Sequence, residues 1–260
     1  MEKNQNPIGL FDSGIGGTSI WKEINTLLPN ENTIYLADSK NAPYGLKSKE
    51  EIVALCVKNT ELLLNMNSKI IVVACNTATT NSIKELRKKF DVPFIGIEPA
   101  IKPAANNSKT QKIGILATKG TLNSELFNKS VAYFQHTKIV EQIGFGLVEL
   151  IEEGNLNSPE MRNLLVSYLH PMIDQNIDYL VLGCSHYPYL IPQIKTILPK
   201  KIKIIDSGQA VAKQTFAVLN QHNLLNNSNK IGLNTFYSNV NTNILQTILG
   251  KKYAIKNLTF

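Results

Sequence analysis

Two of the three cysteines stand where a thiol can do chemistry, because each directly follows a short apolar run and precedes polar residues. Cys75 lies in the segment VVACNTA and Cys184 in the segment VLGCSHYP. A thiol at the start of a helix has its thiolate stabilised by the helix dipole, so it can serve as base or acid near neutral pH. A single such cysteine is more often a small buried apolar residue. Two in the same context favour a pair of acid–base groups, whereas Cys56, inside a helical stretch, is expected to be structural.

A pair of equivalent thiols suits racemisation in particular. In that reaction a proton leaves one face of a carbon while another arrives on the opposite face, and the same pair must run the reaction both ways. Asp12, at the end of an apolar run, could accept protons or orient an ammonium group, and the neutral ring of His186 could hold a thiol proton. The alternatives are that Asp12 caps the next helix and that His186 caps its turn. A zinc site on Cys184 and His186 would lack further ligands.

An α/β fold must position these residues. Eight short, β-branched apolar runs alternate with amphipathic helical stretches, a pattern typical of βαβ units and of parallel sheets buried on both faces. The runs are 8–11, 33–37, 70–74, 93–97, 113–117, 138–142, 179–183 and 202–205. Polar groups follow five of these runs, and the carboxyl ends of parallel strands are where ligands bind in such sheets. The sequence therefore predicts one site built from several strand ends.

A weak internal echo relates the two halves of the chain. Segment 8–13 can be laid over 113–118, and segment 72–75 over 181–184, at nearly equal offsets. Buried parallel strands also resemble one another because few residue types suit them, so this similarity alone leaves both explanations open. If the halves do face each other, the two cysteine-bearing strand ends face each other as well.

The proline-containing stretch 98–108 is the best candidate for a crossing between two domains. A return crossing near Ser207 would let the C-terminal segment complete the first domain. The predicted first domain is discontinuous and comprises 1–97 with 208–260, and the predicted second domain comprises 98–207.

Composition excludes several classes of function. With 260 residues, 43% hydrophobic and 18% charged, the chain is expected to fold as a globular protein. The net charge is +7, but only two arginines occur and the lysines are spread along the chain, so no nucleic-acid-binding face is expected. Neither a signal peptide nor a bilayer-spanning segment is recognisable, which predicts a cytoplasmic protein. The three cysteines have long, unequal spacings and are expected to be reduced thiols.

Seven ordered motifs resemble the signature segments of the bacterial glutamate racemases. They are FDSGIGG, PYG, VVACNTA, IGIEPA, LATKGT, LGCSHYP and IDSG, and they extend from Ile8 to about residue 215. The resemblance implies two similar α/β domains with mainly parallel sheets flanked by helices, the active site between the domains, and no pyridoxal phosphate, metal or nucleotide cofactor. It also implies that the chain interconverts L-glutamate and D-glutamate to supply peptidoglycan synthesis, with neither nucleic acid nor membrane as a partner. A homodimer is left open.

The resemblance also implies roles for individual residues. By position, Cys75 corresponds to the family's base toward D-glutamate and Cys184 to its base toward L-glutamate. Asp12 and His186 match residues that assist the thiols, and Glu152 matches a glutamate near the site. Positions that hold the carboxylates and the ammonium group of the substrate are matched by Ser13, Pro43, Tyr44, Gly45, Asn76, Thr77, Thr118, Thr121 and Ser185.

The chain departs from the family pattern at two places. Ser185 stands where the family usually has threonine, which keeps the hydroxyl but leaves its rotamer freer. The segment before Glu152 has Gly144, Phe145 and Glu149 where the family more often has cysteine and prolines. A carboxylate on a helix is more often solvated than functional, so the sequence supports Glu152 less than the two thiols.

Two other functions compete with this hypothesis. A racemase of aspartate or another acidic amino acid would differ only in pocket depth, and the ordered motifs are what favours glutamate. A non-catalytic binder of acidic amino acids could dispense with one thiol. The presence of both thiols, each with polar neighbours, speaks against the binder.

Overall fold

Ten strands form two separate sheets within residues 3–260, the part of the chain that the computed structural model describes. In chain order the strands are β1 (Ile8–Asp12), β2 (Thr33–Ala37), β3 (Ile70–Val73), β4 (Phe94–Gly96), β5 (Lys112–Ala117), β6 (Lys138–Ile143), β7 (Tyr179–Gly183), β8 (Lys203–Ile205), β9 (Asn234–Ser238) and β10 (Ala254–Asn257). The first sheet has the order β10-β9-β2-β1-β3-β4 and the second the order β6-β5-β7-β8. All neighbouring strands are parallel. The predicted α/β fold class is confirmed.

Helices connect the strands and cover the sheets. They are α1 (Thr18–Leu27), α2 (Lys49–Asn65), α3 (Asn76–Lys89), α4 (Ile101–Asn107), α5 (Lys119–Leu122), α6 (Glu125–Ala132), α7 (Leu147–Glu152), α8 (Pro159–Asp174), α9 (Ile191–Ile197), α10 (Gly208–Gln221) and α11 (Asn243–Leu249). Several begin where a hydroxyl accepts a hydrogen bond from a free N–H of the first turn, as Ser48, Ser124 and Ser158 do. Among the described residues, we find no helix that combines the length and the apolar character needed to cross a membrane.

All eight predicted apolar runs are strands, and β9 and β10 are two further strands that the pattern did not indicate. β1 is buried along its whole length because helices cover both faces of the sheet, which explains its uninterrupted apolar run. By contrast, β10 is mostly exposed. Trp21 on α1 holds this edge, because its ring packs edge-on against Phe236 at 4.7 Å and Tyr253 at 5.0 Å between centroids.

The two sheets repeat one arrangement. β1 pairs in parallel with β3, as β5 pairs with β7, so the segments of the internal echo occupy equivalent positions in their sheets. The stretch 98–108, predicted as a crossing, contains α4, whose Ile101 and Ala104 are buried. Strands of the first sheet come from both sides of the segment that builds the second sheet. The domain boundaries themselves stay a prediction.

Candidate active site

Asp12 links the two sheets at their strand ends. Its Oδ1 accepts a hydrogen bond from the Gly14 N–H at 2.7 Å and faces the Ser13 hydroxyl at 3.4 Å. Its Oδ2 accepts a hydrogen bond from the Ser185 hydroxyl at 2.7 Å. Asp12 ends β1 in the first sheet, whereas Ser185 follows β7 in the second. One carboxylate therefore joins the first half of the molecule, which contains the first sheet, to the second half, which contains the second sheet.

The carboxyl group of Asp12 can exchange a proton near neutral pH. Burial raises the pKa of Asp12 from 3.8 to about 6, because the side chain has no exposed surface and its charged form loses its hydration. The charge of His186 and the hydrogen bonds from Ser185 and Gly14 act in the opposite direction but do not outweigh burial. This pKa lies where a general acid or base is most useful.

Two glycines let side chains of the second half approach the turn after β1. A Cβ atom on Gly14 would overlap the carboxylate of Glu152, and a Cβ atom on Gly16 would overlap the ring of His186. Any larger residue at either position would push these side chains away. The glycine-rich turn thus serves close approach of protein side chains.

Cys75 caps the N-terminus of α3 and is 4% exposed. Its Sγ accepts a hydrogen bond from the Ala78 N–H at 3.4 Å, and it donates to the Ser13 hydroxyl at 3.7 Å. Burial, together with the charge of Asp12, raises the pKa of Cys75 well above 9.0. The sequence allows this thiol to serve as base or acid near neutral pH, and the raised pKa of Cys75 favours the role of acid. A single N–H at the helix start does not compensate for lost hydration, so Cys75 carries its proton.

Cys184 follows β7 and belongs to a second chain of polar groups. Its Sγ lies 3.8 Å from Nδ1 of His186, and Nε2 of the same ring lies 2.5 Å from Oε1 of Glu152. Cys184 is 6% exposed and His186 is 1% exposed. The structure thus brings Glu152, the residue that the sequence supported least, into direct contact with His186.

The surroundings of His186 favour the protonated ring, which is the form that the neutral ring reaches when it takes the thiol proton, as the sequence suggests. Burial would lower the pKa of His186, but the hydrogen bonds to Cys184 and Glu152 and the charges of Asp12 and Glu152 outweigh it and raise the pKa well above 6.5. The Gly16 N–H also lies 3.3 Å from Nε2. Since a protonated nitrogen cannot accept, the shorter contact with the carboxylate decides that Nε2 donates.

Glu152 is ionised and receives donors from both halves of the molecule. Its Oε1 accepts from the Ile15 N–H at 2.7 Å, and its Oε2 accepts from the Ser39 hydroxyl at 2.8 Å. Burial would raise the pKa of Glu152, but the hydrogen bond and the charge of His186, with these two donors, hold it below 4.5. Nothing in the sequence signals Ser39 as a site residue, because no motif or spacing relates it to a residue 113 positions away.

A cluster of hydroxyl and amide groups lies at the seam beside Cys75. The hydroxyl of Thr77 is 2.7 Å from that of Thr118 and 3.3 Å from that of Thr121, so the cluster joins α3 to α5. Asn76 is 2% exposed, and within the described part of the chain neither its amide oxygen nor its amide nitrogen has a hydrogen-bond partner. A buried amide without partners is costly unless something else binds it. Asn76 is therefore the residue of this cluster whose donor and acceptor are most available to a polar ligand.

The turn Tyr44–Leu46 follows a cis bond between Ala42 and Pro43. The hydroxyl of Tyr44 points into the first half, where it donates to the buried Asp38 carboxylate at 2.5 Å. Gly45 faces the second half, since a Cβ atom there would lie 2.9 Å from Cβ of Thr118. Tyr44 and Gly45 thus offer only their backbone to a ligand.

The structure brings together predicted site residues from four strand ends, from the turn after β2 and from the end of α7. Around Asp12 and the two thiols, polar contacts join residues of the first half to residues of the second. Within residues 3–260 no three histidine, cysteine, aspartate or glutamate side chains are grouped so that they could hold a metal ion. The arrangement offers two buried thiols, each with its own acid–base partners, in a setting rich in hydrogen-bond donors.

Comparison with known proteins gives the family. Residues 8–215 match the family model described as Asp/Glu/Hydantoin racemase. A glutamate racemase of Ectopseudomonas mendocina is 45% identical over 227 residues, which are 86% of each chain. The structure resembles glutamate racemase RacE1 of Bacillus anthracis, with a TM-score of 0.89 and 28% identity over 99% of this chain and 98% of that one. It also resembles the Escherichia coli glutamate racemase in complex with L-glutamate and the activator UDP-MurNAc-ala, with a TM-score of 0.87 and 32% identity over 98% of each chain. The chain therefore belongs to the Asp/Glu/Hydantoin racemase family.

Proposed function

We propose that this protein is a glutamate racemase that interconverts L-glutamate and D-glutamate without a cofactor. The observation that carries the proposal is that each buried thiol has its own chain of acid–base groups. Cys75 reaches Asp12 through Ser13, and Cys184 reaches Glu152 through His186. Relatives that share up to about half of their residues with this chain carry the same activity in their names.

Toward L-glutamate, Cys184 acts as the base. Its thiolate, stabilised by the His186 cation, takes the proton from Cα and forms an S–H bond, while the electrons of the C–H bond move onto the α-carboxylate. The thiol of Cys75 then gives its proton to the opposite face of Cα, which forms the new C–H bond and leaves a thiolate at Cys75. The raised pKa of Cys75 suits this role, because it keeps the donor protonated until the carbanion forms.

Toward D-glutamate the two thiols exchange roles. Cys75 must lose a proton, and Asp12 can receive it through Ser13 because the pKa of Asp12 is about 6. The His186 cation can return a proton to Cys184. Asp12 and His186 can thus prepare the two thiols for D-glutamate. After a turnover of L-glutamate, Cys184 releases its new proton to solvent and Cys75 takes one up, because the His186 cation cannot accept a proton.

The carbanion is the difficult intermediate, because the α-proton of an amino acid is far less acidic than a thiol. Hydrogen bonds preorganised toward the α-carboxylate, in a site closed to water, are the usual means of stabilising such charge. The unpartnered amide of Asn76 and the hydroxyl groups of Thr77, Thr118 and Thr121 are available for this purpose. Ser185, Ser13 and the backbone of Tyr44 and Gly45 complete the proposed binding site.

The substrate would lie between two domains, comprising 1–97 with 208–260 and 98–207. In a bacterial cytoplasm the enzyme would run from L-glutamate to D-glutamate and supply peptidoglycan synthesis. Assembly as a homodimer remains a prediction that sedimentation would test. Aspartate is the rival substrate, and the names of the relatives favour glutamate.

The decisive experiment follows the α-proton in deuterated water, together with circular dichroism, without added cofactor. The wild type should interconvert the enantiomers, and Cys75→Ala and Cys184→Ala should both lose interconversion. Cys184→Ala should still exchange the α-proton of D-glutamate slowly, and Cys75→Ala that of L-glutamate. The matched control is Cys56→Ala, because Cys56 is an equally buried thiol on α2 and should be dispensable for activity.

The contrary results are distinct. A wild type that interconverts aspartate but not glutamate would overturn the substrate assignment. A wild type that binds glutamate without exchanging its α-proton would leave the binding protein as the better hypothesis. Retention of racemisation in either Cys75→Ala or Cys184→Ala would refute the two-thiol mechanism.

A further inference from the structure

Glu152 takes its hydrogen bonds from both halves of the molecule. Its Oε1 accepts from the Ile15 N–H at 2.7 Å and lies 2.5 Å from Nε2 of His186. On the other oxygen, the Ser39 hydroxyl donates to Oε2 at 2.8 Å. The carboxylate is thereby held by one donor from its own half and two from the opposite half. Its orientation toward the His186 ring depends on all three.

Ser39 is placed by a rigid turn. The turn Ser39–Asn41 directly follows the end of β2, and the amide of Asn41 donates to the Asp38 carboxylate at 2.7 Å. The amide of Asn239, from the segment after β9, donates to the same Asp38 oxygen at 2.5 Å. The Lys40 N–H donates to the Asn239 side chain at 2.9 Å. The Ser39 hydroxyl therefore reaches Glu152 from a backbone that is fixed on both sides.

The charged groups around the contact between Ser39 and Glu152 determine what the loss of this hydrogen bond would change. The charges of Asp12 and Glu152 act on His186, and Cys184 and Glu152 are its hydrogen-bond partners. Glu152 in turn faces the His186 cation and lies near Asp12 and Tyr35. Within the described residues no lysine or arginine forms an ion pair with Glu152, so His186 is its cationic partner and neutral donors supply the rest. Loss of the Ser39 donor would leave Oε2 without a hydrogen bond.

We propose that Ser39 is a positioning residue for the reaction, which holds Glu152 so that the carboxylate keeps the proton on His186 and thereby supports the thiolate of Cys184. This inference rests on the proposed racemase function. It adds that one half of the molecule activates the base that the other half carries. Cys184, His186 and Glu152 belong to the second half, and their supporting donors Ser39 and Ile15 belong to the first. Cys184 is thus fully activated only when the two halves are in contact.

The first test needs no turnover. The imidazole resonances of His186 can be titrated by NMR in the wild type, in Ser39→Ala and in Ser39→Thr, which keeps the hydroxyl. Ser39→Ala should lower the pKa of His186, because the Glu152 carboxylate loses a donor and its own pKa rises. Ser39→Thr should restore the wild-type titration. The matched control is Ser130→Ala, which removes a serine hydroxyl that faces Glu98 at 3.4 Å outside the site.

The second test is kinetic. Loss of a hydrogen bond to a charged group that acts on the base should lower kcat/KM about tenfold. Because the two enantiomers have equal free energies, kcat/KM must fall equally for both. The asymmetry should appear in the isotope effect of substrate deuterated at Cα, which should increase for L-glutamate, whose proton Cys184 takes, and not for D-glutamate. The pKa of Glu152 should rise and the pKa of His186 should fall. The pH range in which Glu152 is ionised and His186 is protonated should therefore become narrower, and the pH–rate profile with it.

Each outcome decides something different. An unchanged His186 titration in Ser39→Ala would overturn the inference, and so would a loss of activity that Ser39→Thr does not restore. An equal increase of the isotope effect for both enantiomers would assign Ser39 a merely structural role. Absence of glutamate racemisation in the wild type would refute the proposed function, whereas the His186 titration would still report whether Ser39 supports the ion pair.

Discussion

Replacing Asp12 by asparagine should make the fold more stable at neutral pH while it impairs the reaction. Burial raises the pKa of Asp12 from 3.8 to about 6, so the folded protein binds its proton far more tightly than the unfolded chain does. Since each tenfold change in proton affinity is worth about 1.4 kcal/mol, the ionised carboxylate costs the fold about 3 kcal/mol. Asparagine preserves the shape. Its oxygen can accept from the Gly14 N–H, and its amide can donate to the Ser185 hydroxyl.

The pH dependence of this effect has a definite sign. The pKa of Asp12 is raised in the folded state, so its contribution to stability is fully present below about pH 4 and is lost as the pH rises to about 6. Asparagine does not titrate and escapes this loss. The stability advantage of Asp12→Asn should therefore grow across this window and level off above it. The attraction between Asp12 and the His186 cation is already contained in the pKa of Asp12, so the expected advantage at neutral pH is about 3 kcal/mol.

Urea denaturation at a series of pH values measures this difference directly. The control is Asp178→Asn, because the pKa of Asp178 is lowered: hydrogen bonds from Ser108 and from backbone N–H groups outweigh burial. That variant should lose stability at neutral pH. The reasoning about Asp12 is refuted if Asp12→Asn is no more stable than the wild type at neutral pH, or if the difference does not change with pH. Racemisation by Asp12→Asn should be strongly reduced, since Cys75 loses its proton acceptor.

Three further substitutions test other parts of the structure. Tyr44→Phe removes the hydroxyl that donates to buried Asp38 and should lower the free energy of unfolding by about 1–3 kcal/mol in urea denaturation. Lys69→Met leaves the Glu31 carboxylate buried without its cation, which should cost about 3–5 kcal/mol, and Lys69→Met with Glu31→Gln should recover much of it. The Asn76 side chain makes no hydrogen bond to any residue that the structure describes, so Asn76→Ala should change the free energy of unfolding by less than about 1 kcal/mol, while the thermal shift on adding glutamate disappears.

These predictions have clear controls. Tyr133 is 84% exposed, so Tyr133→Phe should leave stability unchanged. If Lys69→Met alone is as stable as the wild type, the buried pair contributes nothing and the account of this pair is wrong. A glutamate-dependent thermal shift in Asn76→Ala that equals that of the wild type would remove Asn76 from the proposed binding site.

The sequence alone was sufficient for the α/β class, for eight strands and for the positions of the two thiols. The reason is that these features are local. A strand buried on both faces needs an uninterrupted apolar run, and such a run shows in a few neighbouring residues. Strand ends can be read in the same way, which places Asp12, Cys75 and Cys184 at the carboxyl edge of their sheets. By contrast, β9 and β10 are partly polar, so they lack an uninterrupted apolar run. β9 pairs with β2, and the segment before β10 packs on Trp21.

Only the tertiary structure determined which site residues are charged and which hydrogen bonds hold them in place. The sequence allows Cys75 to act as base or acid, and burial with the nearby Asp12 favours the protonated form that acts as the acid. It leaves Glu152 in doubt, whereas the fold places that carboxylate against His186 and makes the ring a cation. A pKa depends on all charges and on the hydration lost around a group, and these come from segments far apart in the chain. The contact between Ser39 and Glu152 exists only because folding brings the two halves together.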